Sequence, residues 1–317
     1  MKTATGFLVY TNTEVALGVR TPPQKGETMK GLSRRNVLGA FGGFGALMLF
    51  GCDTSSSGGS GADGGGTSSG GDGGLSGDGG ILSSGFAVGS GAFLTGKDYG
   101  NPFSSGIGSS CVAFGAATKG PCHSNTYLRK DLSDGLVGLP TRFELMIVDT
   151  SCKPVPNAIV EIWYASPAGT YSKAAQAIDS GTGYSGSLSD LNTSFCTGND
   201  AAALASNWLR GFQMTGTDGR TTIDGIFPGW YAGRTTHIHF IITANGKTYV
   251  TSQLLFDESL TSEVYTKHSS YSYRGNKDTS NATDNIVRGG LSLSSSVMSF
   301  AQQSDGAIVT WKSITIA

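Results

Sequence analysis

The sequence predicts a mainly β fold: an antiparallel β-sandwich, immunoglobulin-like, with short helices and long loops. Three observations carry this. Short runs rich in β-branched and aromatic residues recur along the second half of the chain. Gly, Pro and Asn-Gly signals separate them, and few segments read as helix. Many short strands with turn punctuation describe a sandwich rather than a helical bundle or an alternating α/β chain.

The elements follow in order. TRFELMIVD (141–149) and NAIVEIWYA (157–165) read as strands separated by the turn-like TSCKPVP. AAALASNWL (201–209) reads as a short helix. GRTTIDGIFPGWY (219–231) runs as a strand from an Asp-Gly turn into a Pro-Gly turn. RTTHIHFIIT (234–243) and KTYVTSQLLF (247–256) flank Ala-Asn-Gly, a hairpin signal. DESLTSEVYTKH (257–268) reads as a second short helix, and SLSSSVMSF (292–300) and AIVTWKSITIA (307–317) as closing strands.

Not all of the 317 residues belong to such a domain. Residues 53–85 are Gly/Ser-rich, almost without apolar side chains and without positive charge. Such a segment buries too little surface to offset its ordering entropy and reads as a flexible tether. The catalytic-sized domain is therefore placed at 86–317. Residues 1–52 read as an export signal region, with Met29 as an alternative start. Arg34-Arg35 precede a mostly apolar stretch too short to span a bilayer, which then meets Cys52. Ser33-Arg34-Arg35-Asn36-Val37-Leu38 resembles a twin-arginine export signal, and Leu49-Phe50-Gly51-Cys52 resembles a bacterial lipobox. The expected location is the cell envelope, by a lipid anchor at Cys52, or outside the cell. A net charge of −1 gives no reason to expect a nucleic-acid partner.

Cys111, Cys122, Cys152 and Cys196 remain, an even count that suits two disulfides in an exported domain. Three connectivities are open, and sequence proximity favours Cys111–Cys122 with Cys152–Cys196.

The chain has only four histidines, and two of them, His237 and His239, stand one residue apart in GWYAGRTTHIHF. On a strand, residues two apart share a face, so both imidazoles can reach one metal ion. Taken alone the pattern also describes two solvent-facing histidines. Its surroundings add to it. Tyr231 follows the Pro228-Gly229 turn, Arg234 lies between it and the histidines, and Tyr171 follows another turn in EIWYASPAGTYS. Two phenolates with two imidazoles form a hard donor set suited to Fe(III).

At these residues the chain resembles the intradiol ring-cleavage dioxygenases, over about 140–256. The resemblance rests on the E-I-W strand, G-T-Y with Tyr171, L-R-G, T-D-G, P-G-W-Y with Tyr231, R-T-T-H-I-H and the S-Q-L-L-F strand. It implies a ferric cofactor held by Tyr171, Tyr231, His237 and His239, and catecholic aromatics and O2 as substrates. It implies ring opening between the two hydroxylated carbons to a muconate-type diacid. Tyr231 would double as an internal base, Arg234 would support developing negative charge, and Gln253 would line the same pocket. The chain departs from the family at Thr118-Lys119-Gly120-Pro121-Cys122, where an aromatic residue often stands near the substrate. It also lacks the helical N-terminal region of the cytoplasmic catechol enzymes. Arg210 of L-R-G and Trp163 read as structural, as do His123 and His268. The competing class is a noncatalytic cell-surface β-sandwich that binds carbohydrate or protein. A zinc hydrolase built on the histidine pair would need a carboxylate base at a motif position, and none stands there.

Overall fold

The computed structural model describes residues 80–107, 111–178 and 184–317. The export signal, Cys52 and residues 53–79 of the tether lie outside the described residues.

Among the described residues there are ten strands: β1 Gly80–Ile81, β2 Ala87–Val88, β3 Pro140–Asp149, β4 Ile159–Tyr164, β5 Arg210–Met214, β6 Arg220–Ile226, β7 His237–Ala244, β8 Lys247–Leu255, β9 Ser299–Gln302 and β10 Ile308–Ile316. Eight form two four-stranded sheets, ordered β6-β3-β10-β9 and β5-β4-β7-β8, and β1 pairs with β2. A single cluster of buried apolar side chains draws on both larger sheets. Phe143, Leu145 and Ile147 of β3 and Ile308 and Ile314 of β10 join Val160 and Ile162 of β4 and Ile238, Phe240 and Ile242 of β7. The predicted sandwich is therefore present, with its core between the sheets.

Pairing is antiparallel except where β10 runs parallel to β3, from Ile308 opposite Thr141 to Ile316 opposite Asp149. β10 leaves β9 through a tight turn closed by Gln303 and Ala307, so it is antiparallel to β9. Its parallel neighbour β3 lies far back in the chain, which a hairpin could not provide. The predicted hairpin between β7 and β8 turns on Asn245 (φ 50°) and Gly246 (φ 74°). Positive φ at both central residues is the primed turn whose twist matches the strands.

Several elements differ from the sequence reading. The end of the segment read as a tether, Gly80–Ile81, is the strand β1 paired with β2, neither of which carries an alternating apolar pattern. β5 was not anticipated, because Leu209-Arg210-Gly211 carries little strand propensity; it forms by pairing with β4. The helix at 201–209 stops after Ala205, where Ser206 turns extended to lead into β5. Of the strand predicted at 292–300 only Ser299 and Phe300 fall in β9, which runs on to Gln302, because Leu293–Ser296 is a helical turn.

The disulfides also differ: they are Cys111–Cys152 and Cys122–Cys196. Phe114 N–H donates to Thr315 O at the end of β10. That end lies beside Asp149, which the parallel register places against Ile316, and so beside the turn holding Cys152. Non-local pairing decides the connectivity, and proximity in sequence does not.

Candidate active site and metal centre

Alternation along β7 separates core from site. Ile238, Phe240 and Ile242 face the sandwich interior, and His237 and His239 project from the opposite face of the sheet. On that outer face His239 lies opposite Trp163 of β4 and opposite Gln253 of β8. A second buried cluster covers the face: Trp163, Tyr171, Ile241, Leu191 and both half-cystines of Cys122–Cys196, with Tyr231 against it. The site is thus a sheet face roofed by loops, and both histidines are buried.

Tyr231 comes from the Pro228-Gly229 turn leaving β6. Gly229 N–H donates to Ala165 O, and a Cβ on Gly229 would stand 1.9 Å from Ser166 O, so only glycine lets the two loops meet here. Tyr171 comes from the other of these loops, the one leaving β4.

The four predicted ligand residues converge. His237 Nε2 and His239 Nε2 are 3.2 Å apart. Tyr171 Oη lies 3.4 Å from His237 Nε2, 3.2 Å from His239 Nε2 and 3.4 Å from Tyr231 Oη. Tyr231 Oη lies 3.1 Å from His237 Nε2. Donors around one first-row ion with bonds of about 2.0–2.2 Å stand about 2.8–3.6 Å from one another. All these separations fall in that interval. Among the described residues no group of three or more His, Cys, Asp or Glu side chains clusters. The phenols are what complete the histidine pair, and that composition favours ferric iron over zinc.

The two imidazoles are held differently. His237 Nδ1 lies 2.7 Å from Thr235 O. Only a donor pairs with a carbonyl oxygen, so Nδ1 bears the proton and the Nε2 lone pair faces the other donors. His239 Nδ1 has no hydrogen-bond partner among the described residues. Its ring is fixed instead by stacking on Trp163, centroids 5.0 Å apart and planes within 6°, and by Gly120, whose added Cβ would stand 2.7 Å from His239 Cε1.

Electrostatics keep both rings neutral. Burial, then the Arg234 charge, pushes His237 down to about 3. Burial, then His237 and Arg234, lowers His239 well below the usual range. Burial raises both phenols: Tyr171 is pushed well above the usual tyrosine value, with Tyr231 adding to it, and Tyr231 is raised while Arg234 opposes the rise. Neutral imidazoles are ready ligands, and a bound cation would reverse the cost of ionising the phenols.

Arg234 and Gln253 form the flank of the site. Arg234 Nη2 donates to Gln253 Oε1, and Gln253 Nε2 donates to Thr118 O at 3.2 Å. Arg234 Nη1 lies 3.5 Å from His237 Nε2. Arg234 Nε donates to Asp284 Oδ2 at 2.8 Å, and the same oxygen accepts Thr235 N–H at 2.9 Å. Asp284 is the functional neighbour that sequence reading missed. Its Asp-Asn-Ile context signals only a helix cap, a role it also fills by accepting Ile286 N–H at 2.8 Å.

The residues read as structural have defined partners. His123 pairs with Glu161 at 2.7 Å and packs edge-on to Trp163. His268 caps a helical turn and binds Ala87 O. Arg210 is buried against the loop bearing Tyr171, its Nε donating to Ser172 Oγ at 3.0 Å.

Comparison with known proteins relates this β-sandwich to dioxygenases. Residues 113–267, just under half of the chain, match the family model described as Dioxygenase. An intradiol ring-cleavage dioxygenase from Tetranychus urticae superposes with a TM-score of 0.54 at 26% identity, over 65% of this chain and 95% of that one. Another dioxygenase crystal structure gives 0.52 at 25% identity, over 65% and 94% of the two chains. Among curated proteins none matches the chain in sequence. Over residues 113–267 the chain is similar to the dioxygenase family, and its fold is similar to that of an intradiol ring-cleavage dioxygenase.

Proposed function

We propose that the protein is a non-heme ferric dioxygenase that opens the ring of catecholic aromatics between the two hydroxylated carbons. O2 would supply two of the four carboxyl oxygens of the muconate-type diacid, one to each new carboxyl group, and the two catechol oxygens would remain as the others. The observation that carries this reading is the convergence of Tyr171, Tyr231, His237 and His239 at separations of 3.1–3.4 Å. When bound, ferric iron would supply Lewis-acid activation of a catecholate toward O2.

The chain's own groups have distinct tasks. Tyr171, His237 and His239 are buried and hold their positions. Tyr231 is the partly exposed member of the set, so its phenolate oxygen is the one an incoming catechol hydroxyl reaches and the one that takes its proton. Arg234 keeps a fixed positive charge beside the donors and stabilises negative charge developing on the opened ring. Gln253 holds the Arg234 fork at the angle set by Thr118.

We further propose export by the twin-arginine-type signal and anchoring at Cys52. Two disulfides in the domain support an oxidising compartment.

The test is oxygen uptake by the iron-loaded, full-length protein against plain catechol, hydroxyquinol and protocatechuate-like acids. The expected protein is red-brown, consumes one O2 per ring opened, and loses both colour and turnover in Tyr171→Phe. A colourless protein after ferric reconstitution would overturn the proposal. Bound iron with no uptake across the panel would return the chain to the noncatalytic binding-module reading.

A further inference from the structure

The donors of the site differ in what holds them. His237 and His239 are fixed by a sheet strand, and Tyr231 by a turn closed by Arg234 N–H to Tyr231 O. Tyr171 stands off the sheet, on the long loop that leaves β4, and its backbone is held from two sides. Tyr171 N–H donates to Cys196 O at 2.6 Å. The next residue, Ser172, is gripped by Arg210, whose Nε reaches Ser172 Oγ and whose Nη2 reaches Ser172 O. The same Nη2 also donates to Cys122 O at 3.3 Å. One half-cystine carbonyl therefore binds Tyr171 directly, and the other binds the arginine that binds its neighbour. The Cys122–Cys196 bond joins these two carbonyls' residues across 74 positions of sequence. Both half-cystines are buried in the cluster that contains Tyr171.

This gives the departure at Cys122 a purpose. Where the family often carries an aromatic residue, this chain carries a sulfur that ties the Gly120 segment, pressed on His239, to the segment that holds the Tyr171 amide.

We infer that the Cys122–Cys196 disulfide is a covalent clip that positions Tyr171, so that iron affinity depends on this one bond and not on Cys111–Cys152. The second half of the inference rests on Tyr171 being an iron ligand; the first does not. Without the bond, the turn Leu191–Cys196 is tied to this loop by Asn192 on Ala175, but its covalent link to the segment pressed on His239 is gone, and the Tyr171 amide loses a fixed acceptor.

The experiment compares full-length wild type with Cys122→Ala/Cys196→Ala and with Cys111→Ala/Cys152→Ala. In the metal-free proteins, hydrogen exchange of the segment containing Tyr171 is read by mass spectrometry. It is expected to quicken at least tenfold in the first pair and to stay at the wild-type rate in the second. Ferric ion titration should show affinity lowered about 10–100-fold in the first pair alone, the range for losing support behind a ligand. Unchanged exchange at Tyr171 overturns the clip, as does equal quickening in both pairs. Quickened exchange with wild-type iron affinity overturns its consequence for the metal. Arg210→Lys, which keeps the charge and both disulfides but loses the fork on Ser172 and Cys122, serves if the first pair does not fold. It should quicken the same segment, and wild-type exchange there would overturn the inference. Absence of ferric binding in the wild type would refute the proposed function and leave the exchange result to judge the clip.

Discussion

Asp284 offers the sharpest test of how the charged flank of the site is built. The perturbation is Asp284→Ala. The carboxylate is fully buried and accepts from Arg234 Nε, Thr235 N–H and Ile286 N–H at 2.8–2.9 Å. Its loss strands one guanidinium donor and two backbone donors. Removing one partner of a buried ion pair costs about 3–5 kcal/mol. The Arg234 side chain keeps 17% of its exposure, so water and Gln253 recover part of this. The expected destabilisation is then about 3 kcal/mol, near the lower end of that range. With a urea m-value of about 2 kcal/mol/M, the midpoint of the metal-free protein should fall by about 1.5 M. Acid melts add a check. Burial pushes the Asp284 carboxyl up, but the Arg234 charge and the three donors outweigh it and hold it below the usual range. A lowered pKa contributes stability that is complete above the unfolded value of about 4 and is lost as pH falls through the folded value. Asp284→Asn should therefore flatten the acid side of the stability profile. A double-mutant cycle with Arg234→Met should give a coupling of at least ~1.5 kcal/mol. Additivity within about 0.5 kcal/mol would show that Asp284 serves only as a helix cap and would refute the argument.

Other predictions separate site from scaffold. Arg234→Met should retain iron and colour while kcat falls about 10²–10³-fold, the cost of losing one charge-stabilising donor set; wild-type turnover would remove Arg234 from the chemistry. Phe240→Ala should lower stability by about 3–5 kcal/mol, because its ring is fully buried between the sheets. Below its melting temperature it should keep the iron colour, read by absorbance, since Phe240 faces away from His239. Asp257 caps the helix Glu258–Lys267 by accepting Ser259 and Leu260 N–H, so Asp257→Ala should cost about 1 kcal/mol in urea melts and leave oxygen uptake unchanged.

The sandwich was legible because its strands carry local signals. The Asn245-Gly246 hairpin needs positive φ, and the alternation of Ile238, Phe240 and Ile242 with the histidines states which face is core. The convergence of His237, His239 and Tyr231 was legible in the same way, because they lie within one short run. Tyr171 came only through the order of motifs, since nothing local says that a residue sixty positions from Tyr231 will stand 3.4 Å from it. What stayed hidden is non-local by nature. β5 exists because β4 has a free edge, and the disulfide partners follow the parallel placement of β10 against β3. Asp284 reaches Arg234 across fifty residues with no pattern to announce it.

The location of the site explains why so polar a cluster coexists with an apolar core. A set of two phenols and two imidazoles inside the sandwich would face a second sheet and displace packing that no compensating contact restores. On the outer face it displaces nothing, but it must then be roofed, because ligands left in open water would be hydrated and mobile. Loops are the available cover, and loops carry conformational freedom that strands do not. The chain meets this with fixed points on the roof: the close contact at Gly229, the Arg210 grip on Ser172, and the Cys122–Cys196 bond. It follows that the placement of the four donor groups and the stability of the core rest on different residues. Substitutions in the roof should disturb iron affinity before they disturb folding, and substitutions between the sheets should do the reverse.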